Sequence, residues 1–270
     1  MAGNNAMKVA MAAITDIGMV REKNEDQVAI APELGLAVLA DGMGGHQAGE
    51  VASDMAIDMI TRHFAESFEH CDKKNGVLKN ETSVICEAIQ MANAAIFEMA
   101  HQRPECNGMG STIVVTLFYN NRMYVGHVGD SRLYRFRKNR LAQMTDDHSV
   151  VQELLSRGLI SPDEARNSAH KNLVTRALGI ESDVEPDIDS QAVEENDIYL
   201  LCSDGLNDVL PDDAIEMVML DHSRDIIEAS KVLVREANDR GGPDNISVVL
   251  VKLGKKLSEN EVYPLRELKG

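Results

Sequence analysis

Ala37-Val38-Leu39-Ala40-Asp41-Gly42-Met43-Gly44-Gly45-His46 is a short apolar run that ends in a carboxylate and passes directly into a glycine-rich turn. From Gln47 onward, apolar or small residues recur at 48, 51, 52, 55, 56, 59, 60 and 63–64. That is the 3.6-residue period of an amphipathic helix. Asp41 is therefore expected at the carboxyl end of a buried strand, where the chain opens toward solvent. The glycines let backbone carbonyls and N–H groups approach a ligand closely. Strand, glycine turn and helix is also the layout of a dinucleotide site, but that fingerprint needs glycines at three fixed places. Gln47 stands at the third, and a carboxylate just before the turn would repel a pyrophosphate.

Working outward, residues 7–15 and Gln27 to Ala31 read as strands on either side of a polar loop, with Pro32-Glu33-Leu34-Gly35 as the turn back into the strand ending at Asp41. The first helix is expected to reach about Phe68. A second, from about Glu81 to His101, has apolar positions 84, 88, 91, 92, 95 and 99. Ser111 to Tyr119 and Arg122 to Gly129 are strands joined by an Asn120-Asn121 hairpin turn. Arg132 to Arg137 is a further strand. The stretch 145–180 is polar and interrupted, with a short helix from Met144–His148 to Gly158 and a helix start at Ser161-Pro162-Asp163-Glu164. It reads as a surface flap. Asp197 to Cys202 and Ile246 to Leu253 are buried strands, with helices between them at about 211–220 and 223–239. Hairpin-linked strands with inserted helix pairs imply antiparallel sheet and helix layers in one α+β domain, at 7–255, with flexible tails at 1–6 and 256–270.

The 270 residues are 44% hydrophobic, enough for a sizeable core. No apolar run is long enough to span a bilayer, and the start lacks a signal-peptide pattern. Four cysteines show neither zinc-ligand spacing nor disulfide-scaffold density. A cytoplasmic monomer is expected. The net charge of −17 disfavours nucleic acid and anionic membrane as partners.

Four apolar strands are flanked by an acid in a small-residue turn: Asp41 before Gly42, Asp130 after Gly129, Asp204 before Gly205, and Asp244 after Pro243. Glu25 and Asp26 in the polar loop add two more. Asp-Gly alone is ordinary turn chemistry. As a set, carboxylates gathered in one cleft repel unless cations neutralise them. Oxygen ligands select hard ions such as Mg²⁺ or Mn²⁺, and the eight histidines show no paired spacing for zinc on a helix. Two such ions are a recurring device for hydrolysing phosphate esters. Arg21 is the candidate for gripping phosphate oxygens, against a plain surface pairing with Glu22. His46 is a candidate proton donor to a leaving group, against a polar surface role. His148 reads as part of a helix entry.

With these residues in place, the chain resembles the bacterial branch of the metal-dependent serine/threonine phosphatases related to protein phosphatase 2C. The matching pieces are TDIGMVREKNED (15–26), ADGMGGHQAGE (40–50), GHVGDSRLY (126–134), DDHSVVQELLSRGLISPDEA (146–165), LVTRALG (173–179), LCSDGL (201–206) and GGPDNISVV (241–249). They follow the family's order over nearly the whole chain. The resemblance implies a four-layer αββα sandwich of two antiparallel sheets flanked by helix pairs, with two tightly bound Mn²⁺ or Mg²⁺ ions at one edge and a third, weaker one. It makes Asp41 the bridging ligand, Gly42 a carbonyl ligand, and Asp204 and Asp244 ligands of the second ion. Asp130 would share the third ion with Asp204. Glu25 and Asp26 would act through metal-bound water, Arg21 would bind phosphate, and His46 would be a general acid. It further implies direct attack by a metal-bridging hydroxide on phosphoserine or phosphothreonine in proteins, reversing a cognate serine/threonine kinase. Two departures stand out. Ser168-Ala169-His170-Lys171-Asn172 replaces a His-Pro-x-Arg-Asn pattern in the flap, and Asn196-Asp197 replaces Gly-Asp. A catalytically silent domain of the same fold and a two-metal phosphodiesterase are the alternatives.

Overall fold

The structure, a computed structural model, describes residues 8–44, 48–69, 78, 80–161, 164–165, 168 and 173–254. Both expected tails, His46, and all of 168–172 except Ser168 lie outside the described residues. One sheet has the order β1-β11-β10-β7-β8, from β1 (Lys8–Asp16), β7 (Arg132–Arg137), β8 (Arg140–Gln143), β10 (Ile198–Cys202) and β11 (Ile246–Gly254). The other runs β2-β3-β5-β6-β9, from β2 (Asp26–Ala31), β3 (Leu36–Met43), β5 (Ile113–Tyr119), β6 (Arg122–Val128) and β9 (Asp187–Ala192), with β4 (Gly110–Ser111) paired to β3. Every pairing is antiparallel.

The central strands read as continuous apolar runs because both of their faces are buried. In β3, Leu36, Val38 and Ala40 face the helices α1 (Ala48–Glu69) and α2 (Glu81–Gln102), while Ala37 and Leu39 face the other sheet. In β10, Ile198, Leu200 and Cys202 face the helices α5 (Asp212–His222) and α6 (Ile226–Asp239), while Tyr199 and Leu201 face the other sheet. Three apolar layers thus alternate with the two sheets, giving the αββα sandwich. None of the described helices is long and apolar enough to cross a membrane.

The helix face expected on α1 is buried, through Ala48, Ala52, Ala56, Ile60 and Phe64. That of α2 is rotated by about one position: Ile85, Ala88, Ile89, Ala92 and Ile96 are buried and Met91 is exposed. The cause lies in the sheet below. Gly126 in β6 leaves a gap that Ile85 and Ile89 fill. Strand β3 runs past Asp41 to Met43, because Gly42 and Met43 pair with Ser111 and Gly110. The Asn120-Asn121 turn is present, with both residues at positive φ. A second such turn at Lys138-Asn139 makes an unforeseen hairpin of β7 and β8. Strand β9 has no counterpart among the expected strands. The flap helix α3 (Val150–Ser156) begins later than expected, capped by Ser149. A further short helix, α4 (Asp204–Asn207), follows β10 at once.

Candidate metal centre

One edge of the sandwich gathers the ends of strands from both sheets. Asp41 lies near the end of β3, Asp26 opens β2, Asp130 follows β6, Asp204 opens α4 after β10, and Asp244 precedes β11. Asp26 and Asp41 are direct partners in the β2–β3 register, an arrangement in which like charges destabilise a sheet unless something neutralises them. A cleft of about 230 Å³ is lined by Arg21, Glu25, Asp41, Asp130, Asp204 and Asp244, with Gly42 in its wall. The structure thus brings together every described residue of the expected set. Asp26 sits just behind the cleft, only 2% exposed, as the first residue of a strand and not within a loop.

The backbone is held by residues that sequence reasoning did not single out. Thr112 N donates to Asp41 O (2.8 Å), and Thr112 Oγ1 accepts from Asp41 N (3.2 Å). Asn245 Nδ2 donates to Ile17 O (2.9 Å) and Lys23 O (2.8 Å), and its Oδ1 accepts from Glu25 N (2.8 Å). That one amide fixes the loop carrying Arg21 and Glu25. Ser203 Oγ donates to Asp26 Oδ2 (2.7 Å). The available signal was position: Asn245 follows Asp244, and Ser203 precedes Asp204. Gly42 is packed so closely that a Cβ would collide with the Gly49 carbonyl and lie 2.6 Å from the Glu25 carbonyl, so only glycine lets three backbone segments meet here.

Burial raises the Asp41 and Asp204 carboxyls well above the usual range, and their acidic neighbours push them further. For Asp41 these are Asp26, Asp204, Asp130 and Asp244; for Asp204, chiefly Asp130 and Asp244. Burial likewise raises Asp26 to about 6, against the hydrogen bond from Ser203. Asp130 is raised to about 6 by burial, with Asp147 adding repulsion. Glu25 is raised by burial and eased by Arg21. Among the described residues, Arg21 is the one cation lining the cleft, and it is spoken for: its Nη2 donates to Asp244 Oδ2 at 2.6 Å. The alternative, a surface pairing with Glu22, is not what the structure shows. Burial works against the Arg21 charge, but the bond and charge of Asp244 outweigh it. Among the described residues, five acids face the cleft with one half-exposed guanidinium among them. The donor set is all oxygen, and its uncompensated charge calls for small divalent cations.

A family model described as Protein phosphatase 2C matches residues 21–239. The chain belongs to the protein phosphatase 2C family. It is 37% identical over 243 residues to the serine/threonine phosphatase Stp of Listeria welshimeri, covering 88% of this chain and 93% of that one. It is 34% identical over 251 residues to the protein phosphatase PhpP of Streptococcus pneumoniae, covering 91% and 98%. The solved catalytic domain of the serine/threonine protein phosphatase PstP, in complex with two manganese ions, superposes with a TM-score of 0.81 at 36% identity, covering 93% of this chain and all of that one. The fold expected from the phosphatase resemblance is thereby the fold observed.

The cleft opens into a larger groove of about 410 Å³ that shares Asp130 and Asp204 with it. Arg132 lines this groove but its Nε–Nη2 edge is held by Asp147 (2.7 to 3.1 Å), and its Nη1 donates to Tyr134 Oη (2.8 Å). It is a fixed wall, not a free cation. His148 stands at a helix entry as expected, just before the Ser149 cap, and its ring is buried against Gly129 and His127.

Proposed function

We propose that this chain hydrolyses phosphoserine and phosphothreonine monoesters in proteins, reversing a serine/threonine kinase, with Mn²⁺ or Mg²⁺ at the acidic edge. The observation that carries the reading is the cleft itself: among the described residues, Glu25, Asp41, Asp130, Asp204 and Asp244 converge without enough cationic partners, beside one arginine. Asp41, the Gly42 carbonyl, Asp204 and Asp244 would hold two ions, and Asp130 with Asp204 a weaker third. Glu25 and Asp26 would orient water. When bound, such ions supply a water-derived nucleophile at neutral pH and neutralise the phosphoryl oxygens.

The chain's own contributions follow from placement. Arg21 is half-exposed at the cleft mouth, where its guanidinium can turn from Asp244 to grip two oxygens of a phosphate. Asn245 and Thr112 keep the ligand backbones rigid, so little reorganisation is needed as charge develops. The adjoining groove gives room for the polypeptide on which the phosphate is carried. His46 stays a candidate for protonating the leaving oxygen.

The test is phosphate release from a phosphothreonine peptide, with and without Mn²⁺, for wild type and Asp204→Asn. Metal-dependent release that the substitution abolishes is expected. Folded wild-type protein that releases no phosphate with any metal would favour the catalytically silent alternative. A preference for diester substrates would favour a phosphodiesterase.

A further inference from the structure

His148 lies where the flap leaves the sandwich, and it holds the turn that presents Asp130. Its backbone N donates to Gly129 O at 2.9 Å, and its ring Nδ1 accepts from Gly129 N at 3.1 Å. Its carbonyl accepts from Thr175 N at 2.7 Å, and the next residues bridge across, with Val150 N on Leu173 O at 2.9 Å. One residue therefore joins the outgoing strand of the flap, the returning strand, and the residue before Asp130. Gly129 is an unusual thing to hold. Its φ is +107°, and a Cβ there would lie 2.6 Å from the Thr112 side chain, the same side chain that bonds to the Asp41 backbone.

The ring is set for this task. It is 4% exposed as a residue and stacks on His127 with centroids 4.6 Å apart. To accept from Gly129, Nδ1 must keep its lone pair, so the proton of the neutral ring sits on Nε2. Nε2 faces Asp187 Oδ2 at 3.4 Å without forming a hydrogen bond. Asp187 is itself anchored by Arg176 of the returning flap strand (2.7 Å). Burial lowers the His148 pKa to about 4, aided by His127 and Arg176, so the accepting form persists at neutral pH.

His127, His148 and Asp187 have potential ligand atoms within 4.8 Å of one another, which resembles a transition-metal site. The tautomer argues otherwise. A metal on Nε2 would need Nδ1 as a donor, and Nδ1 already faces the Gly129 N–H donor.

We propose that His148 is a positioning residue for Asp130, clamping the Gly129–Asp130 turn to both strands of the flap and so setting the affinity of the weak cation site. This rests on the proposed role of Asp130 as a cation ligand. The test is Mn²⁺ binding to the metal-stripped full chain, by equilibrium dialysis, for wild type, His148→Ala, His148→Asn and His148→Gln. Asn places an amide oxygen near the position of Nδ1 and keeps the acceptor for Gly129; Gln reaches instead toward the Nε2 side. Support on a metal ligand of this kind is worth about 10–100-fold in affinity. The weakest Mn²⁺ step is therefore expected to weaken by about that factor in His148→Ala and His148→Gln, to recover in His148→Asn, and to leave the tight steps in place. A weak step unchanged in His148→Gln, lost equally in His148→Asn, or missing from wild type would overturn the clamp. Should His148→Ala not fold, the Asn and Gln pair decides alone. Phosphate release is not the readout. Wild type that binds Mn²⁺ in these steps yet hydrolyses no phosphopeptide would sink the proposed function and not the clamp.

Discussion

Asp197 stands just before strand β10 and Asp204 just after it, so one five-residue strand separates two enclosed acids. At the first end the protein meets the charge with its own donors. Asp197 is 1% exposed and accepts from Arg137 Nε (2.7 Å), Arg137 Nη2 (2.6 Å) and Glu194 N (2.7 Å). Arg137 in turn reaches Glu194, which also meets Lys138. At the other end, among the described residues, no cation pairs with Asp204 or Asp41, and the nearest charges are further acids. A buried acid with a complete donor set is architecture. A group of them sharing one half-exposed arginine is an arrangement whose missing charge must arrive from outside.

The contrast can be broken most sharply by substituting the two acids in parallel. Asp204→Asn is expected to lower kcat/KM by at least about 10²-fold, the loss typical of one electrostatic stabiliser, while leaving the metal-free protein as stable as wild type or more so. Initial rates and thermal melts of the stripped protein check both halves. Asp197→Ala should do the reverse, costing about 1–3 kcal/mol because the Glu194 N–H and one edge of Arg137 lose their acceptor, with activity per folded molecule retained. Denaturant unfolding beside active-site titration would expose any crossover between the two outcomes.

Arg21 connects the regions, since it is paired like Arg137 but exposed at a cleft. Arg21→Ala is expected to raise KM by roughly 10- to 100-fold, the worth of a charge-assisted hydrogen bond, with a smaller change in kcat. Arg21→Lys should recover only part of this, because an ammonium cannot present two parallel donors. Steady-state kinetics on a phosphothreonine peptide would show the split, and an unchanged KM in Arg21→Ala would remove the residue from phosphate binding.

The smallest effect concerns protons. Asp26 and Asp130 have folded pKa values of about 6, against an ordinary 3.8. The folded state therefore binds more protons than the unfolded chain between about pH 4 and 6, and the metal-free fold loses stability as pH rises through that window. Cations displace those protons, so Mn²⁺ should raise the melting temperature more at pH 7 than at pH 5. Saturation at a hundredfold excess over Kd is worth about 2.7 kcal/mol. A shift that is equal at both pH values, or larger at pH 5, would show that the ions bind elsewhere.

The acids of the cleft are legible in the chain, and the pairing of Asp197 with Arg137 is not. Each acid of the cleft ends or begins an apolar run, and a run of that kind buried on both faces must finish at a sheet edge. The 3.6-residue periods placed α1 and α2, although the face of α2 depended on Gly126 in another element, which no local pattern reveals. Strands β8 and β9 escaped because they are short, lie at sheet edges and are half polar, so they carry little hydrophobic signal. Thr112, Ser203 and Asn245 are ordinary polar residues until the fold brings distant backbone groups to them. For His148 the helix entry is legible and the clamp is not, because its partners Gly129, Thr175 and Asp187 come from three separate segments. Local sequence shows which side chains carry charge, and only the assembled topology shows which of them lack partners.

The most direct measurement is anomalous scattering from a crystal soaked in Mn²⁺, recorded at the manganese edge. The account predicts two strong peaks in the cleft, coordinated by Asp41, the Gly42 carbonyl, Asp204 and Asp244 at about 2.1 Å, and none at the Arg137–Asp197 end of β10. A cleft without manganese in an active protein, or an ion seated at Asp197, would contradict it.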